Sequence, residues 1–451
     1  MTIKRSRLEP SRSHHGERHL IRLVFRLLGI GTTLVWLGLG CQQPPTSLES
    51  KCVEDWPAPR AFTPAPSLDV EPEILWQAQV TRAPTSSSML WNGRQIAFTA
   101  GPRLYALDAS GAMMARRPIA GLEGLSSGVV DSDGNYYVAG SSVYSVDPDG
   151  ELRWLVPLSA YSDKPDWDSP RGTGRVVLSP DGGLFFGAND GHLYSVDIRD
   201  GALRWRSKVS DPSQGQQAPV VVAGVGNAIM GISRTSTWQP SLWNRQTGEA
   251  MAFFSSPKGE RYGRMIGAEI GIITERFEDR GGAYPWMHIT ALDRCSRPRF
   301  TLTARHPQWP VLIGPGDLLH VVERDDVEGS PTFVSVYGPD GDRVKGPVAM
   351  AIPWAIGADG TIYGIACDTP GVDGPSRLHA YNADLEEQWM LPLGDSCPTA
   401  GPVIDDSGKL YFIWFRDLVS ELVTVQTRSP GLADTAWPIG RHDIRGASWV
   451  D

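Results

Sequence analysis

Positive charge is what this sequence has too little of for a nucleic-acid-binding protein: 42 Lys and Arg stand against 51 Asp and Glu, a net charge of −9. Because a phosphate backbone is bound by clustered Lys and Arg, this balance argues against nucleic acid as a partner. Cysteine is also scarce, with 5 among 451 residues and no two of them adjacent. Gly (49) and Pro (36) are abundant instead, and 41% of the residues are hydrophobic. The composition therefore predicts a folded chain with many turns between short elements, not a disordered one.

The N-terminal region lacks an apolar run long enough to cross a membrane. Residues 27–40 are uncharged and follow a basic segment ending at Arg26, but 14 helical residues reach only ~21 Å, short of the ~30 Å hydrocarbon layer. This pattern is typical of a secretory signal, so residues 1–40 are predicted to be a signal peptide. Seven basic and two acidic residues lie there, which leaves 35 basic and 49 acidic residues in a distinctly acidic mature body.

The apolar run ends at Gly38-Leu39-Gly40-Cys41. This segment resembles the lipobox of bacterial lipoproteins, in which the cysteine is lipidated and becomes the first mature residue, although Leu is more usual than Gly38 at its position. Gln42, in place of Asp, resembles an outer-membrane sorting signal. The resemblance implies lipidation at Cys41, with the protein anchored in the outer membrane of a bacterial envelope by its lipid only, facing the periplasm or the exterior. The alternative is an ordinary cleaved signal with an incidental cysteine. Residues 41–72, rich in Pro and Ser, are expected to form the lipidated Cys and a flexible tether.

One sequence motif recurs from about residue 75 onward: an alternating apolar strand that ends in Asp or Asn, followed in most copies by a turn with Gly. The copies are Leu104–Asp108, Val143–Asp147, Leu193–Asp197, Leu242–Asn244, Ile289–Asp293, Val334–Tyr337, Leu378–Asn382 and Leu422–Gln426. The Asp-equivalent positions (108, 147, 197, 244, 293, 337, 382 and 426) have a mean interval of about 45 residues, the length of one four-stranded propeller blade. The sequence therefore predicts an all-β fold over residues 73–451, an eight-bladed β-propeller of four-stranded antiparallel blades. Seven blades is the alternative, because the fifth, sixth and eighth copies are degenerate.

A second motif precedes several copies by about 10 to 20 residues and consists of a tight turn and a strand. It begins at Asp133-Gly134, Asp181-Gly182, Asp359-Gly360 and Ser407-Gly408. Asp-Gly between apolar alternations is a strong hairpin signal, because Gly accepts the positive φ that the turn demands. Each unit thus supplies two strands joined by this hairpin, then the recurring motif as the third strand, and then a fourth strand.

The third copy reads S-V-D-I-R-D-G-A-L-R-W over residues 195–205. It resembles the A-x-D-x-x-T-G-x-x-x-W repeat of β-propellers of the pyrroloquinoline-quinone (PQQ) type, in which the Trp docks against the turn of the adjacent blade. That Trp occurs at its expected place in three copies, at Trp154, Trp205 and Trp389. The resemblance covers roughly residues 75–440 and implies a PQQ-like, quinoprotein-type β-propeller. By repeat and anchor the chain most resembles the lipoproteins of the outer-membrane protein assembly machinery (BamB-like), in which the propeller is a scaffold.

Trp76 stands before the first full copy. A fourth-strand Trp without a preceding unit implies that Glu73 to Val80 fills the outer edge of the final blade or the first. Such closure would remove sheet edges that otherwise invite aggregation.

The adjacent cysteines of the quinoprotein dehydrogenases are not found in this sequence. Those enzymes use adjacent cysteines, a calcium ion and an Asp base, whereas all five cysteines here are isolated, so PQQ and calcium are both disfavoured as cofactors. The segments Asp131–Asn135 and Asp147–Glu151 are similar to acidic calcium loops, but Gly stands at their fourth position between strands, which predicts hairpin turns instead.

Other catalytic and metal-binding patterns are equally weak. The histidines show no H-x-x-x-H or H-E-x-x-H spacing. A G-x-S-x-G match at Gly124–Gly128 is followed by a strand pattern and not by the helix that a nucleophile elbow needs, so Ser126 is not expected to be a nucleophile. No catalytic, cofactor-binding or metal-binding residue is assigned, and the chain is expected not to be an enzyme.

The four cysteines beyond Cys41 suit an oxidising compartment. Cys367 ends the second strand of the seventh unit, and Cys397 lies just before the first strand of the eighth. In an up-and-down blade both places fall on the same face of neighbouring blades, which predicts a Cys367–Cys397 disulfide. Two unpaired thiols is the alternative, and Cys52 with Cys295 would follow only by elimination.

Three irregular insertions interrupt the units, at Tyr161–Arg171, Arg276–Met287 and Asp368–Arg377. Their aromatic residues Tyr161, Trp167, Tyr284 and Trp286 are candidate partner contacts, because loops on a rigid scaffold carry binding and Trp and Tyr are favoured anchors. Local capping of blade edges is the alternative.

We therefore expect a monomeric, non-catalytic envelope lipoprotein whose propeller binds a protein or ligand in the cell envelope. The alternative is a propeller enzyme, or a carbohydrate- or quinone-binding protein, that uses the central channel.

Overall fold

The computed structural model describes residues 63–81, 89–100, 103–118, 128–161, 172–210, 217–234, 238–253, 260–268, 271–278, 286–305, 311–324, 331–367, 375–394, 398–416, 419–433 and 449–450. All of them lie in one compact unit, Ser47–Asp451. The predicted signal peptide, Cys41, Cys52, Ser126, Trp167, Tyr284 and Cys397 fall outside the described residues.

Eight antiparallel sheets form a ring, which is the eight-bladed β-propeller that the repeat predicts. The first strand of the chain, β1 (Glu73–Thr81), belongs to the last blade. Blade 1 contains β2 (Leu90–Trp91), β3 (Gln95–Ala100), β4 (Arg103–Asp108) and β5 (Met113–Pro118). Blade 2 contains β6 (Val129–Val130), β7 (Tyr136–Ala139), β8 (Ser142–Val146) and β9 (Leu152–Pro157). Blade 3 contains β10 (Gly172–Leu178), β11 (Gly183–Ala188), β12 (His192–Asp197) and β13 (Leu203–Lys208). Blade 4 contains β14 (Gln217–Val225), β15 (Ala228–Arg234), β16 (Trp238–Asn244) and β17 (Ala250–Phe253).

The second half of the ring repeats this order. Blade 5 contains β18 (Glu260–Ala268), β19 (Gly271–Glu278), β20 (Trp286–Leu292) and β21 (Pro298–Arg305). Blade 6 contains β22 (Leu312–Gly314), β23 (Leu318–Arg324), β24 (Thr332–Tyr337) and β25 (Arg343–Ala349). Blade 7 contains β26 (Ile352–Ile356), β27 (Ile362–Cys367), β28 (Ser376–Tyr381) and β29 (Glu387–Gly394). Blade 8 contains β30 (Pro398–Ile404), β31 (Lys409–Arg416), β32 (Val419–Gln426) and the N-terminal β1.

The recurring motif is the third strand in all eight blades, and each tight-turn motif joins a first strand to a second, as predicted. One predicted position of the repeat is wrong. In blade 6 the backbone N–H of Gly338 donates to the carbonyl of Asp342, the bond that Asp108 makes with Ala112 in blade 1. Gly338, not Tyr337, is therefore the equivalent of the Asp, and the pattern was misplaced because this copy has no carboxylate there.

The ring is closed by pairing the two ends of the propeller. Strand β1 is the outer strand of the final blade and pairs antiparallel with β32, with Trp76 opposite Thr424. This confirms the closure predicted from Trp76 and assigns it to blade 8. Strand β33 (Trp449–Val450) adds parallel to β14, the inner strand of blade 4. The described residues include no α-helix and no helix long enough to cross a membrane, only two short 3₁₀ turns at Leu158–Tyr161 and Pro315–Asp317.

Burial decreases from the inner strands to the outer ones. The second strand β3 is buried along its whole length, whereas the fourth strand β9 alternates between exposed and half-buried side chains. Inner strands are covered by neighbouring blades on both faces, so their near-continuous apolar sequences are buried, at ~1.5–3 kcal/mol for each large side chain.

The antiparallel order places the connections on two opposite faces. The connections from first to second and from third to fourth strands, such as residues 131–135 and 198–202, lie on one face, here named the turn face. The connections from second to third strands and from one blade to the next lie on the other, here named the loop face.

Candidate interaction surfaces

The turn face is built from tight turns whose acidic side chains are used by the turns themselves. Asp108 Oδ1 accepts hydrogen bonds from the backbone N–H groups of Ser110 (2.8 Å) and Ala112 (3.0 Å). The hydroxyl of Ser110 also donates to it, and this bond is the main cause of the lowered pKa of Asp108. Asn382 Oδ1 accepts from Asp384 N (2.9 Å) and Glu386 N (3.0 Å) in the same way in blade 7.

Asp197 is the most strongly held of these carboxylates. Hydrogen bonds from the side chain of Arg199 (2.8 and 2.9 Å) are the largest cause of its lowered pKa, and Arg204 adds a further bond at 3.0 Å. The interactions fix the turn between β12 and β13.

The two calcium-like segments are hairpin turns, as predicted. Asp131 Oδ1 accepts the backbone N–H groups of Asp133 (2.9 Å) and Asn135 (2.8 Å), and its Oδ2 accepts the Tyr137 hydroxyl at 2.7 Å. Asp147 Oδ1 accepts the Glu151 N–H at 2.7 Å. Within the described residues, no group of three or more His, Cys, Asp or Glu is placed to hold a metal ion.

The turn face also carries the contacts between neighbouring blades. Trp154 of blade 2 donates from Nε1 to the carbonyl of Ile198 in blade 3 (2.9 Å), and Trp205 of blade 3 donates to the carbonyl of Arg245 in blade 4 (2.7 Å). A glycine lies under each indole, Gly201 and Gly248 respectively, with no room for a Cβ atom.

Two further pairs extend this pattern. Trp76 of β1 covers Gly111 of blade 1, so the closing blade docks on the first one as its neighbours dock on each other. Phe300 of blade 5 covers Gly341 of blade 6. Phe300 is not marked in the sequence, because the repeat has Trp at this place. The signal that could have revealed it is an aromatic residue ahead of a turn Gly of the next unit.

Segments from near both chain ends cross the turn face. The Ala65 N–H donates to the carbonyl of Ala358 (2.9 Å), the Ser67 hydroxyl to Asp359 (2.8 Å), and the Leu68 N–H to the carbonyl of Arg428 (2.6 Å). Residues 63–72, which are predicted to be part of the tether, thus bind to blades 7 and 8.

The C-terminal residues of the blade-8 region lie against the same turn of blade 7. The Ala433 N–H donates to the carbonyl of Ile356, and the Ala358 N–H donates to the carbonyl of Gly431, each at 2.9 Å. Part of the turn face of blades 7 and 8 is therefore covered by the chain itself.

The predicted insertions all leave from the loop face, because their flanking strand ends do. Two of the insertions are shorter than predicted: β19 continues to Glu278 with Arg276 opposite His288, and β28 begins at Ser376. Charged residues make these strand ends look like loops in the sequence, since paired strands at a blade edge tolerate charge on their exposed side.

Among the aromatic residues predicted to contact a partner, Tyr161 is misassigned. It is 8% exposed in the 3₁₀ turn after β9, and its hydroxyl donates to the carbonyl of Gly201 in blade 3. Tyr161 therefore ties blades 2 and 3 together. Trp286 is half-buried at the start of β20, while Trp167 and Tyr284 lie outside the described residues.

Exposed apolar side chains are concentrated on the rim. Every exposed large hydrophobic residue of the described part lies in a fourth strand: Leu75, Met113, Met114, Leu152, Leu155, Leu203, Val344 and Met390. Blade 8 and blades 1 to 3, which adjoin around the ring, carry six of these eight.

Two cysteines are disulfide-bonded, Cys295 in the turn after β20 and Cys367 at the end of β27. The Cys367–Cys397 pairing stays a prediction, because Cys397 lies outside the described residues. Of the histidines that the structure describes, His320 is the most enclosed. Desolvation lowers its pKa to about 4, and its Nδ1 has no hydrogen-bond partner among the described residues.

Comparison with known proteins supports the same architecture. Residues 139–265 match the family model described as outer membrane protein assembly factor BamB. The structure of BamB from Moraxella catarrhalis is similar at a TM-score of 0.52 and 11% identity, over 79% of this chain and 100% of that one. The Dos1 propeller is similar at 0.53 and 13%, over 78% and 95%, and quinohemoprotein alcohol dehydrogenase from Comamonas testosteroni at 0.50 and 12%, over 78% and 76%. No curated protein matches the sequence. At these identities the likeness shows the fold, so the chain is an eight-bladed β-propeller of PQQ-like repeats.

Proposed function

We propose that this chain is a non-catalytic bacterial envelope lipoprotein, lipidated at Cys41, whose propeller is a scaffold for a protein partner. The resemblance of residues 38–41 to a lipobox supports the anchor. The match of residues 139–265 to the assembly-factor family supports the scaffold role. That segment spans parts of blades 2 and 5 and all of blades 3 and 4.

The difference between the two faces carries this proposal. On the turn face the carboxylates of Asp108, Asp131 and Asp197 accept hydrogen bonds from their own turns, and residues 63–72 cover blades 7 and 8. The longer connections start and end at the loop face, such as the one between Pro157 of β9 and Gly172 of β10, and long loops on a rigid scaffold are the usual binding elements. We therefore assign the partner to the loop face, with the adjoining apolar rim of blades 1 to 3 as the neighbouring contact region.

Lipidation is tested by acyl labelling of the full chain in a Gram-negative host. Cys41→Ser should abolish incorporation of the labelled fatty acid and release the protein from the membrane fraction. The matched variant Gln42→Asp should keep the label and move the protein from the outer to the inner membrane. Equal labelling of the wild type and Cys41→Ser would contradict the anchor.

The scaffold role is tested by a photo-crosslinking residue placed on either face of blade 7. Pro375 is exposed at the loop face, just before β28 begins, and Ala383 is exposed at the turn face of the same blade. In intact envelopes, a crosslinked protein is expected from position 375, and its yield should be at least tenfold lower from position 383. Equal crosslinking from both positions would contradict the assignment of the face. A purified protein that retains quinone or sugar and crosslinks to nothing would favour the alternative of ligand binding in the channel.

A further inference from the structure

The two cysteines known to be disulfide-bonded lie on opposite faces of the propeller. Cys295 is half-buried in the turn between the third and fourth strands of blade 5, where its N–H donates to Asp293 Oδ1 at 2.8 Å. Cys367 is the last residue of β27 and pairs with Ser376 of β28, which places it at the loop face of blade 7.

This placement excludes a bond between Cys295 and Cys367. Six strand residues at ~3.3 Å each separate the faces by about 20 Å, whereas the Cα atoms of a disulfide lie within ~7 Å of each other. The same distance excludes Cys397 for Cys295. Cys397 is covalently joined to Pro398, the first residue of β30, which begins at the loop face, and consecutive Cα atoms are only ~3.8 Å apart. The partner of Cys295 must therefore come from the N-terminal part of the chain, from Cys41 or Cys52.

The N-terminal segment arrives on the correct face. From Glu73 at the start of β1, the chain runs backwards over the turn face, where Arg428 donates to the carbonyl of Val70 at 3.1 Å and pairs with Glu71 at 3.2 Å. The Leu68 side chain reaches Gly408, and Ala65 bonds the 357–361 turn of blade 7 through Ala358.

The remaining chain is long enough to reach blade 5. Thirteen residues separate Ala65 from position 52, and an extended chain of that length spans up to ~45 Å. Cys52 is 13 residues before Ala65 and Cys41 is 24 residues before it, and the shorter segment costs less entropy to close, which favours Cys52.

We infer that Cys295 pairs with Cys52, and that this disulfide, here named the strap, joins the N-terminal part of the chain covalently to blade 5. The same elimination leaves Cys397 for Cys367 on the loop face. Each bond forms when two thiols lose two protons and two electrons, and the electrons pass to a protein disulfide of the thiol–disulfide oxidant class through a mixed-disulfide intermediate.

The bond has a consequence for the length of the tether, and that part rests on the proposed lipid anchor at Cys41. Only residues 42–51 would remain as a free tether, with a reach of about 35 Å.

Peptide mapping without reduction tests the pairing in the wild-type protein, purified from the envelope of an expression host. Trypsin separates these four cysteines into the peptides 52–60, 295–299, 346–377 and 378–409. We expect one linked pair of 52–60 with 295–299 and another of 346–377 with 378–409. Linkage of 295–299 to any other peptide, or alkylation of both Cys52 and Cys295 without reduction, would overturn the inference. This result does not depend on lipidation or on a partner, so it fails or holds separately from the proposed function.

Serine variants test the strap itself. Cys295→Ser should expose one thiol, at Cys52, and raise the rate of tryptic cleavage after Arg60 about tenfold, because the segment is then held only by its contacts with blades 7 and 8. Cys367→Ser is the matched control and should expose a thiol at Cys397 with unchanged cleavage after Arg60. Equal cleavage rates in both variants would contradict the strap.

Discussion

The indole Nε1 of Trp205 donates a 2.7 Å hydrogen bond to the backbone carbonyl of Arg245, so the outer strand of blade 3 is tied to a turn of blade 4. The ring of the same indole lies directly over Gly248, whose φ is +70°. Trp154 has the same relationship with Ile198 and Gly201 one blade earlier. The Gly of the repeat therefore has two roles, because it accepts a left-handed backbone and leaves space for the neighbouring aromatic ring.

Replacement of Gly248 by alanine should separate these two roles. A Cβ at position 248 would lie 2.5 Å from Cε3 of Trp205, so the indole has to move, and the left-handed backbone adds its own strain. We expect a loss of about 2–4 kcal/mol in the free energy of unfolding, measured by urea denaturation. Gly316→Ala is the control, since φ there is +68° with nothing within 4 Å, and it should lose only about 1 kcal/mol. Equal losses in both variants would mean that the indole contributes nothing.

The contact between Trp76 and Gly111 should determine how firmly the ring is closed. A Cβ on Gly111 would lie 2.8 Å from the Trp76 ring, and Trp76 belongs to β1, the strand that completes blade 8. Gly111→Ala should therefore raise the hydrogen-exchange rate of the β1 amides by about tenfold or more, because it loosens the edge strand of the closing blade. Gly93→Ala, with φ +85° and open space around it, should leave these amides at the wild-type rate. Uniform exchange across all eight blades in Gly111→Ala would contradict a specific effect on closure.

The features predicted correctly from the sequence are the ones set by local chemistry. The Asp-Gly turns, the third strands and the role of Trp76 follow from residue types that a turn or a strand demands at fixed spacing. The sixth repeat was misplaced at Tyr337 because Gly338 has no side chain to mark the position.

The features that the sequence could not reveal depend on contacts between blades. Tyr161 has the sequence context of an exposed loop aromatic, yet its hydroxyl bonds a carbonyl 40 residues later, at Gly201. Residues 63–72 look like a tether by composition, but their backbone groups bond turns about 290 to 360 residues further along the chain. Such pairings arise from the closure of the ring, which brings distant segments together and leaves no periodic trace in either of them.

Acid should weaken the turn after β12 through Asp197. The hydrogen bonds from Arg199 hold the pKa of Asp197 below its usual value, so the carboxylate stabilises the fold above the unfolded pKa of about 3.9 and loses this effect as the pH falls through the folded value. Because the Arg199 side chain is 83% exposed, the contribution is modest, and Asp197→Asn should cost about 1 kcal/mol at pH 7. Urea denaturation should show this difference shrinking below pH 4. Asp340→Asn, on a side chain that is 82% exposed, should change little at either pH, and a constant cost for Asp197→Asn at every pH would contradict the assignment.

The buried His320 should make the whole propeller less stable in mild acid. Desolvation lowers its pKa to about 4, and the charge of Lys345 acts in the same direction. Between about pH 6.5 and pH 4 the unfolded chain therefore binds a proton that the folded chain does not, so stability is complete above 6.5 and falls as the pH drops through this range, by at most about 3 kcal/mol. His320→Gln should flatten this part of the profile of unfolding free energy against pH. Val321→Ala in the same strand is the control, because it removes buried apolar packing and no titrating group. It should lower the free energy of unfolding by the same amount at every pH. If His320→Gln keeps the wild-type steepness between pH 6.5 and 4, protonation of another group must cause the acid sensitivity.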